Sequence, residues 1–298
     1  MVPSPAPWYY RNHIQFHLTK EGSLGFQRAR SNHPLAIQEC HLPEAGINRL
    51  WPQIEIEPNP SLRGVSIRQG ADEDLMILLE STLPEVPDFN IEDLAVSVVQ
   101  VYPAGSLVLA GSDHIVMKVQ DLRFIVSAGS FFQVNTAQAV VMVKHVLEQL
   151  PHTSEMTVVD AYCGVGLFSA FIAPRVKRLV GLEVSAEACE DFSTNLDEFE
   201  NVELYEAPVE LVLGNVQFTP DIIIMDPPRA GLGARTVASL LAQGARRLVY
   251  VSCDPATLAR DSKNLASGGY SLEKLTLVDM FPQTYHIESI SIWDRTNQ

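Results

Sequence analysis

The segment VVDAYCGVGLFS, residues 158–169, decides the fold class of this chain. Two valines lead into Asp160, and Gly164 and Gly166 follow where a strand would turn into a helix. The third small position is Ser169 rather than a glycine, so the dinucleotide-binding fingerprint is imperfect. The segment predicts the first strand and Gly-rich turn of a Rossmann-like nucleotide-binding domain.

The second half of the chain alternates apolar strand-like stretches with helical patterns. Its first helix, in NTAQAVVMVKHVLEQL, is predicted to use one face made of Val140, Val143, Leu147 and Leu150. Strand-like stretches follow at MTVVDA, RLVGLEVS, NVELYEA, PDIIIMDPP, RLVYVSC, YSLEKLTLVDMF and HIESISIWDR. This alternation is typical of a doubly wound α/β domain, whose ligands bind outside the carboxyl ends of the strands.

The first half is different. From Trp8 to about Gln120 the pattern is mostly strand-like, and HIQFHL followed by KEGSLGF predicts a hairpin over residues 12–27. The sequence therefore predicts an α/β protein in which a small β-rich domain precedes the Rossmann-like one.

Composition restricts the class of protein. The chain has 298 residues, 46% hydrophobic content and a net charge of −15, which argues against broad nucleic-acid affinity but leaves room for a local basic groove. No apolar stretch is long enough for a membrane span and the start lacks a signal-peptide pattern, so we expect a cytoplasmic protein. The four cysteines are far apart, without a C-x-x-C pair, so neither a zinc site nor a disulfide framework is expected.

Two acidic residues at predicted strand ends suggest a ligand. Glu183 ends the second strand of the α/β half, where an acidic side chain can accept hydrogen bonds from a ribose diol. S-adenosylmethionine has a ribose but no pyrophosphate, so the imperfect fingerprint favours a methyltransferase over a dehydrogenase, and a turn without a ligand stays open. Asp226 ends the stretch IIIMD before two prolines, which suits orientation of a base or cofactor; helix capping is the alternative.

Cys253 and Glu288 are the candidate reactive residues. Cys253 follows a predicted strand, and Asp254 and Pro255 are typical of a helix start, whose dipole favours a thiolate. Asp254 opposes that effect, and a structural role for the cysteine stays equally open. Glu288 begins the last apolar strand, where burial would raise its pKa and suit it as a base; a solvated strand-end charge is the alternative.

Taken in order, SFFQVN, DAYCGVGLFS, DPPRAGL, SCDPATLARD and HIES resemble the motifs of the RNA 5-methyluridine methyltransferases, which use S-adenosylmethionine. The resemblance covers about residues 8–295. It implies a β-rich RNA-contacting domain, residues 1–126, and a class I methyltransferase domain, residues 127–298. By motif, Cys253 is similar to the family nucleophile and Glu288 to its general base. The positions that match contacts to the cofactor or the target base are Gln133, Tyr162, Glu183 and Asp226.

The chain departs from the family pattern in two ways. Many members have an N-terminal TRAM domain, and this chain begins too late to contain one. Many also hold an iron–sulfur cluster through four cysteines. Cys40 resembles one of them and the other three have no counterpart here, so no metal site is expected; a cluster-free member and a truncated version of a longer protein both stay open. The resemblance implies a monomer acting on RNA, and Cys40 favours ribosomal over transfer RNA. An RNA-binding or RNA-folding protein with a dormant site, and a methyltransferase acting on another RNA base, are the alternatives.

Overall fold

The structure, a computed structural model, describes residues 1–31, 33–57, 59–90, 95–151 and 154–296. The chain forms two compact units. The N-terminal unit comprises residues 6–129 and 133–136, and the C-terminal unit comprises residues 1–5, 130–132 and 137–298. The domain boundary between residues 126 and 127 stays a prediction, because compactness alone does not test independent folding.

The N-terminal unit is rich in β-structure, as predicted. Its elements are β1 His13–Leu18, β2 Leu24–Gln27, β3 Pro34–Ala36, α1 Ala45–Leu50, β4 Glu55–Ile56, β5 Leu62–Gln69, β6 Leu75–Ser81, β7 Phe89–Asn90, β8 Ser97–Tyr102, β9 Gly105–Ala110, β10 His114–Val119 and β11 Leu122–Ser127. Within the described ranges, a seven-stranded sheet has the order β3-β2-β1-β5-β6-β8-β9, and β10-β11 and β4-β7 form separate pairs. β1 and β2 pair antiparallel, which confirms the hairpin over residues 12–27.

Alternation along β1 explains how this unit forms its core. Ile14 and Phe16 point to the same face of the strand and are buried, and they join a cluster that includes Trp51, Val65 and Ile67. Phe16 lies 5.5 Å, between ring centroids, from the ring of Trp51. Each large apolar side chain buried in this way contributes about 1.5–3 kcal/mol to stability.

The C-terminal unit alternates helices and strands. Its elements are α2 Thr136–Leu147, β12 Thr157–Ala161, α3 Leu167–Ile172, β13 Arg178–Glu183, α4 Ala186–Asn195, β14 Val202–Glu206, α5 Val209–Leu213, β15 Ile222–Met225, α6 Gly233–Gln243, β16 Arg247–Ser252, α7 Pro255–Ser267, β17 Tyr270–Val278 and β18 Glu288–Arg295. The sheet order is β14-β13-β12-β15-β16-β18-β17 among the residues that the structure describes. β12 to β16 are parallel, and β18 runs antiparallel to both of its neighbours. The predicted α/β class is confirmed.

Parallel strands explain why this unit reads as short, uninterrupted apolar runs. Helices on a parallel sheet bury both faces of its central strands, and accordingly every residue of β15 is buried. Among the helices of the described ranges, none has the length and apolar character needed to cross a bilayer.

The predicted buried face of α2 was partly wrong. Val143 is buried, and so is Leu150, which lies beyond the end of α2. Val140 and Leu147 are only half-buried, and Met142 and Val146 are buried in their place. The buried stripe is rotated because nearly every α2 residue between Ala137 and Val143 is apolar or small, so hydrophobicity alone did not define one face.

Candidate active site

The ends of the parallel strands bring four of the predicted site residues to one edge of the sheet in the C-terminal unit. Three of these residues come directly after a strand: Tyr162 follows β12, Asp226 follows β15 and Cys253 follows β16. Glu183 is the last residue of β13. Parallel strands have their carboxyl ends on the same edge, and the ladder pairs β12 with both β13 and β15. The Asp226 amide also donates to the carbonyl oxygen of Ala161, at 3.3 Å.

Glu288 reaches this edge from the opposite direction. It is the first residue of β18, which is antiparallel to β16, and Ser289 pairs with Ser252 directly before Cys253. The side chain of Glu288 is buried, and its Oε1 atom has no hydrogen-bond partner among the described residues. Burial, followed by the negative charge of Asp226, raises the pKa of Glu288 to about 9. The solvated alternative is therefore wrong, and the carboxyl group is protonated at neutral pH.

Cys253 is half-buried beside these carboxyl groups. Burial raises the pKa of its thiol, the charges of Glu288 and Asp226 act in the same direction, and the guanidinium of Arg229 acts against them. The balance left open by the sequence therefore favours the thiol over the thiolate. Arg229 is the residue of the DPPRAGL loop that supplies positive charge to the cysteine.

The helix start after Cys253 has the predicted geometry. Asp254 is the N-cap of α7, its Oδ1 accepts the Thr257 amide at 2.8 Å, and Pro255 is the first helical residue. A cap of this kind contributes about 1 kcal/mol to the helix. It holds the backbone that follows the cysteine in one conformation.

A buried carboxylate that sequence reasoning missed joins the DPPRAGL loop to the cysteine segment. Asp261 on α7 is fully buried, and its Oδ2 accepts the Leu232 amide at 2.9 Å and the Tyr250 hydroxyl at 3.0 Å. The Arg260 side chain donates to its Oδ1 through Nε at 3.0 Å. Asp261 therefore connects the loop, strand β16 and helix α7, which carry Asp226 and Cys253.

Gly231 explains why the loop closes so tightly on this carboxylate. Its φ of +74° favours glycine, and a Cβ there would lie 2.5 Å from Oδ2 of Asp261 and 2.6 Å from Nη2 of Arg260. Nη2 of Arg260 also donates to the Ala230 carbonyl oxygen at 2.8 Å. The only sequence signal for the hydrogen bonds of Asp261 was an acidic residue, in TLARD, on an otherwise amphipathic helix.

The Gly-rich turn and Glu183 form the second part of the site. Oε2 of Glu183 accepts the Gly164 amide at 3.0 Å, and Oε1 accepts the amides of Val184 and Ser185 at 2.7 and 2.9 Å. Tyr162 begins the turn with a left-handed φ of 63°, a conformation that costs a non-glycine residue of the order of 1 kcal/mol or more. Each carboxylate oxygen has two lone pairs, so Oε2 keeps one for a ligand.

Ser169 has a role that a glycine in the fingerprint could not have. Its hydroxyl donates to Oδ2 of the fully buried Asp160 at 2.6 Å. Burial raises the pKa of Asp160 to about 7, and the Ser169 hydrogen bonds act against that rise. The departure from glycine at this position therefore supports the acidic residue at the end of β12.

Gln133 is the one predicted site residue outside the C-terminal unit. It belongs to the N-terminal unit, its side chain is buried, and its carbonyl oxygen accepts from Nδ2 of Asn12 at 3.0 Å. Its contact with a cofactor stays a prediction.

Sequence comparisons identify relatives across most of the chain. Residues 96–210 and 209–295 match the family described as tRNA (uracil-5-)-methyltransferase. An uncharacterised RNA methyltransferase of Enterococcus faecalis is 33% identical over 326 residues, covering 96% of this chain and 71% of that protein. One from Streptomyces avermitilis is 35% identical over 295 residues, covering 95% of this chain and 66% of that protein.

A solved structure is similar as well. The Pyrococcus abyssi tRNA (uracil-54, C5)-methyltransferase, in complex with S-adenosyl-L-homocysteine, matches with a TM-score of 0.77 and 26% identity, covering 98% of this chain and 78% of that one. The fold and the strand-end site thus define a class I RNA methyltransferase. The chain belongs to the tRNA (uracil-5-)-methyltransferase family.

Proposed function

We propose that this enzyme transfers a methyl group from S-adenosylmethionine to carbon 5 of a uridine in RNA, through a covalent adduct between Cys253 and carbon 6. The observation that carries the proposal is the arrangement of a half-buried thiol, a buried carboxyl group and Arg229 beside Asp226. The substitution requires a nucleophile and a base at one site, and the charge of Glu288 acts on the thiol of Cys253.

The Gly-rich turn fits the methyl donor. Space is open where a Cβ of Gly164 would lie, and Glu183 presents a half-buried carboxylate with one acceptor position left. We propose that Glu183 binds the ribose and that Tyr162 and Asp226 complete the cofactor contacts of the C-terminal unit; the contact of Gln133 rests on the motif alone. When bound, S-adenosylmethionine supplies an electrophilic methyl group.

Cys253 starts the reaction because carbon 5 of uracil is a poor nucleophile. The thiol of half-buried Cys253 gives its proton to solvent, and its sulfur forms a bond with carbon 6 while the electron pair of the carbon 5–carbon 6 double bond moves towards carbon 5 and the carbonyl group. Carbon 5 then accepts the methyl group, whose bond to the sulfonium sulfur would break so that the electron pair stays with S-adenosylhomocysteine. Arg229 favours the required thiolate, because its charge lowers the pKa that burial of Cys253 raises.

Glu288 ends the reaction as the base. Its carboxylate takes the proton from carbon 5, the double bond reforms, and the sulfur–carbon bond breaks to release the thiolate. Glu288 must first release its own proton to solvent, and its pKa of about 9 makes it a strong base once it has done so. The uracil must also leave its base stack to reach a half-buried thiol, which favours unpaired RNA.

The class of RNA is the finer part of the proposal. Cys40, as a counterpart of a cluster cysteine, supports ribosomal RNA, whereas the similar Pyrococcus abyssi enzyme is named for a transfer RNA. A cytoplasmic location and a monomeric state are proposals of the same standing.

Methyl transfer from labelled S-adenosylmethionine tests the proposal. Unmodified ribosomal and transfer RNA are offered separately, and the nucleosides are identified by mass spectrometry. We expect 5-methyluridine from the wild type, none from Cys253→Ala, and wild-type turnover from Cys40→Ala, which removes the other half-exposed thiol. Binding of RNA and S-adenosylhomocysteine without transfer by the wild type would contradict the proposal, and a different methylated base would replace uridine as the target.

A further inference from the structure

The segment between β17 and β18 carries two adjacent rings, those of Tyr285 and His286, next to the active site. We call this ring pair the aromatic step. Tyr285 is 88% exposed, and its ring centroid lies 4.2 Å from that of His286, with 38° between the ring planes. The ring of Phe281 lies 5.7 Å, between centroids, from that of His286 in an edge-to-face arrangement. Glu288 follows only two residues after His286.

Packing of the fold does not account for the position of Tyr285. At 88% exposure its ring removes little apolar surface from water, so it contributes little to the core. The segment is nevertheless ordered by its own hydrogen bonds: Oγ1 of Thr284 donates to the Phe281 carbonyl oxygen at 2.8 Å and accepts the His286 amide at 3.3 Å. An aromatic ring held outwards by a bonded turn is suited to stacking against something outside the chain.

Arg229 supplies positive charge that reaches both the rings and the thiol. Its Nη2 lies 3.4 Å from Nε2 of His286. Its charge also lowers the pKa values of Cys253 and Asp254, so it lies within electrostatic reach of both. In a chain of net charge −15, this guanidinium places a positive charge next to the ring pair of an exposed tyrosine and a half-buried histidine.

We propose that Tyr285 and His286 form a stacking step for an unpaired RNA base adjacent to the target uridine, with Arg229 binding the phosphate between the two nucleotides. The inference rests on the proposed function. Rings accept any base on their faces, and guanidinium binds phosphate through two parallel N–H groups, so ring and charge together match a nucleotide. A protein partner would have no comparable use for Arg229 so close to the thiol.

The test measures RNA binding by ring-deletion variants. A fluorescein-labelled single-stranded oligoribonucleotide with one uridine is titrated with wild type, Tyr285→Ala and Tyr285→Phe, and fluorescence anisotropy gives Kd. Stacking on one ring is worth about 1–3 kcal/mol, so we expect Tyr285→Ala to raise Kd about tenfold and Tyr285→Phe to stay within about twofold of the wild type. The control is Tyr205→Ala, which removes a 39% exposed tyrosine from β14. This strand is at one edge of the sheet, and β17 and β18 are at the opposite edge.

A second readout reports stacking itself. An oligoribonucleotide with 2-aminopurine next to the uridine should lose fluorescence on binding the wild type and Tyr285→Phe, and much less on binding Tyr285→Ala at saturation. Binding of S-adenosylhomocysteine, measured by calorimetry, should be equal in all four proteins, which shows that the variants are folded.

Equal Kd values and equal quenching for wild type and Tyr285→Ala would overturn the inference. A loss in Tyr285→Phe as large as in Tyr285→Ala would overturn it too, because the hydroxyl rather than the ring would then carry binding. Failure of the proposed function is distinguishable: the wild type would transfer no methyl group, while the variants would still differ in RNA binding.

Discussion

Glu288→Gln should make the protein more stable, by an amount that grows with pH. The folded chain raises the pKa of this carboxyl group from 4.5 to about 9. Between these two values the unfolded state has released its proton and the folded state keeps it, so each rise in pH favours unfolding. Glutamine has the shape of the protonated acid and no proton to release, so the variant escapes this loss.

The size of the effect follows from the pKa shift. One pH unit in this window corresponds to a little over 1 kcal/mol for a single group, so the stability difference between variant and wild type should widen by about 3 kcal/mol from pH 6 to pH 8. The wild-type contribution is complete below pH 4.5 and is lost progressively up to about pH 9. This loss of stability is the cost of burying the Glu288 carboxyl group in the folded state.

Urea denaturation at pH 6 and pH 8 measures the difference. Glu203→Gln is the control, because the hydrogen bonds from Arg178 lower the pKa of Glu203 and the group is ionised at both pH values in both states. Its stability difference from the wild type should not change between them. A difference for Glu288→Gln that is equally independent of pH would refute the reasoning, since Glu288 would then titrate as a solvated carboxyl group.

Two further predictions concern the loop that faces the thiol. Arg229→Gln should slow alkylation of Cys253 by iodoacetamide about two- to tenfold at a fixed pH below the pKa of the thiol, because the positive charge that favours the thiolate is gone; an unchanged rate would show that this charge does not act on the cysteine. Asp261→Asn should lower the free energy of unfolding by about 2–4 kcal/mol, because the amide cannot accept from Leu232, Tyr250 and the neighbouring arginine together. A loss below about 0.5 kcal/mol in urea denaturation would show that these hydrogen bonds do not stabilise the fold.

The architecture was accessible from the sequence because its causes are local. Parallel strands covered on both faces appear as short apolar runs. β13 and β16 end at a polar residue, and β15 is followed directly by Asp226. The positions of Glu183, Asp226 and Cys253 at one sheet edge follow from that pattern alone. The cap at Asp254 was equally local, since its hydrogen bond spans three residues.

The hydrogen bonds of Asp261 could not be predicted from the sequence, because the bonding partners are distant in the chain. Leu232 is 29 residues away and belongs to another loop, so no spacing rule connects the two. The rotated face of α2 was missed for a related reason: where most residues are apolar or small, the packing partners select the buried side. The upward shift of the Cys253 pKa also depends on burial, which a helix-start pattern does not reveal.

The central claim is a covalent bond between Cys253 and carbon 6 of uridine, and 5-fluorouridine RNA tests it most directly. Fluorine replaces the hydrogen that Glu288 would remove, so the sulfur–carbon bond should persist after methyl transfer. With S-adenosylmethionine present, we expect mass spectrometry to locate a methylated fluorouridine nucleotide on the peptide that contains Cys253, and no adduct in Cys253→Ala. No adduct from an enzyme that methylates ordinary uridine, or an adduct on another residue, would contradict the account.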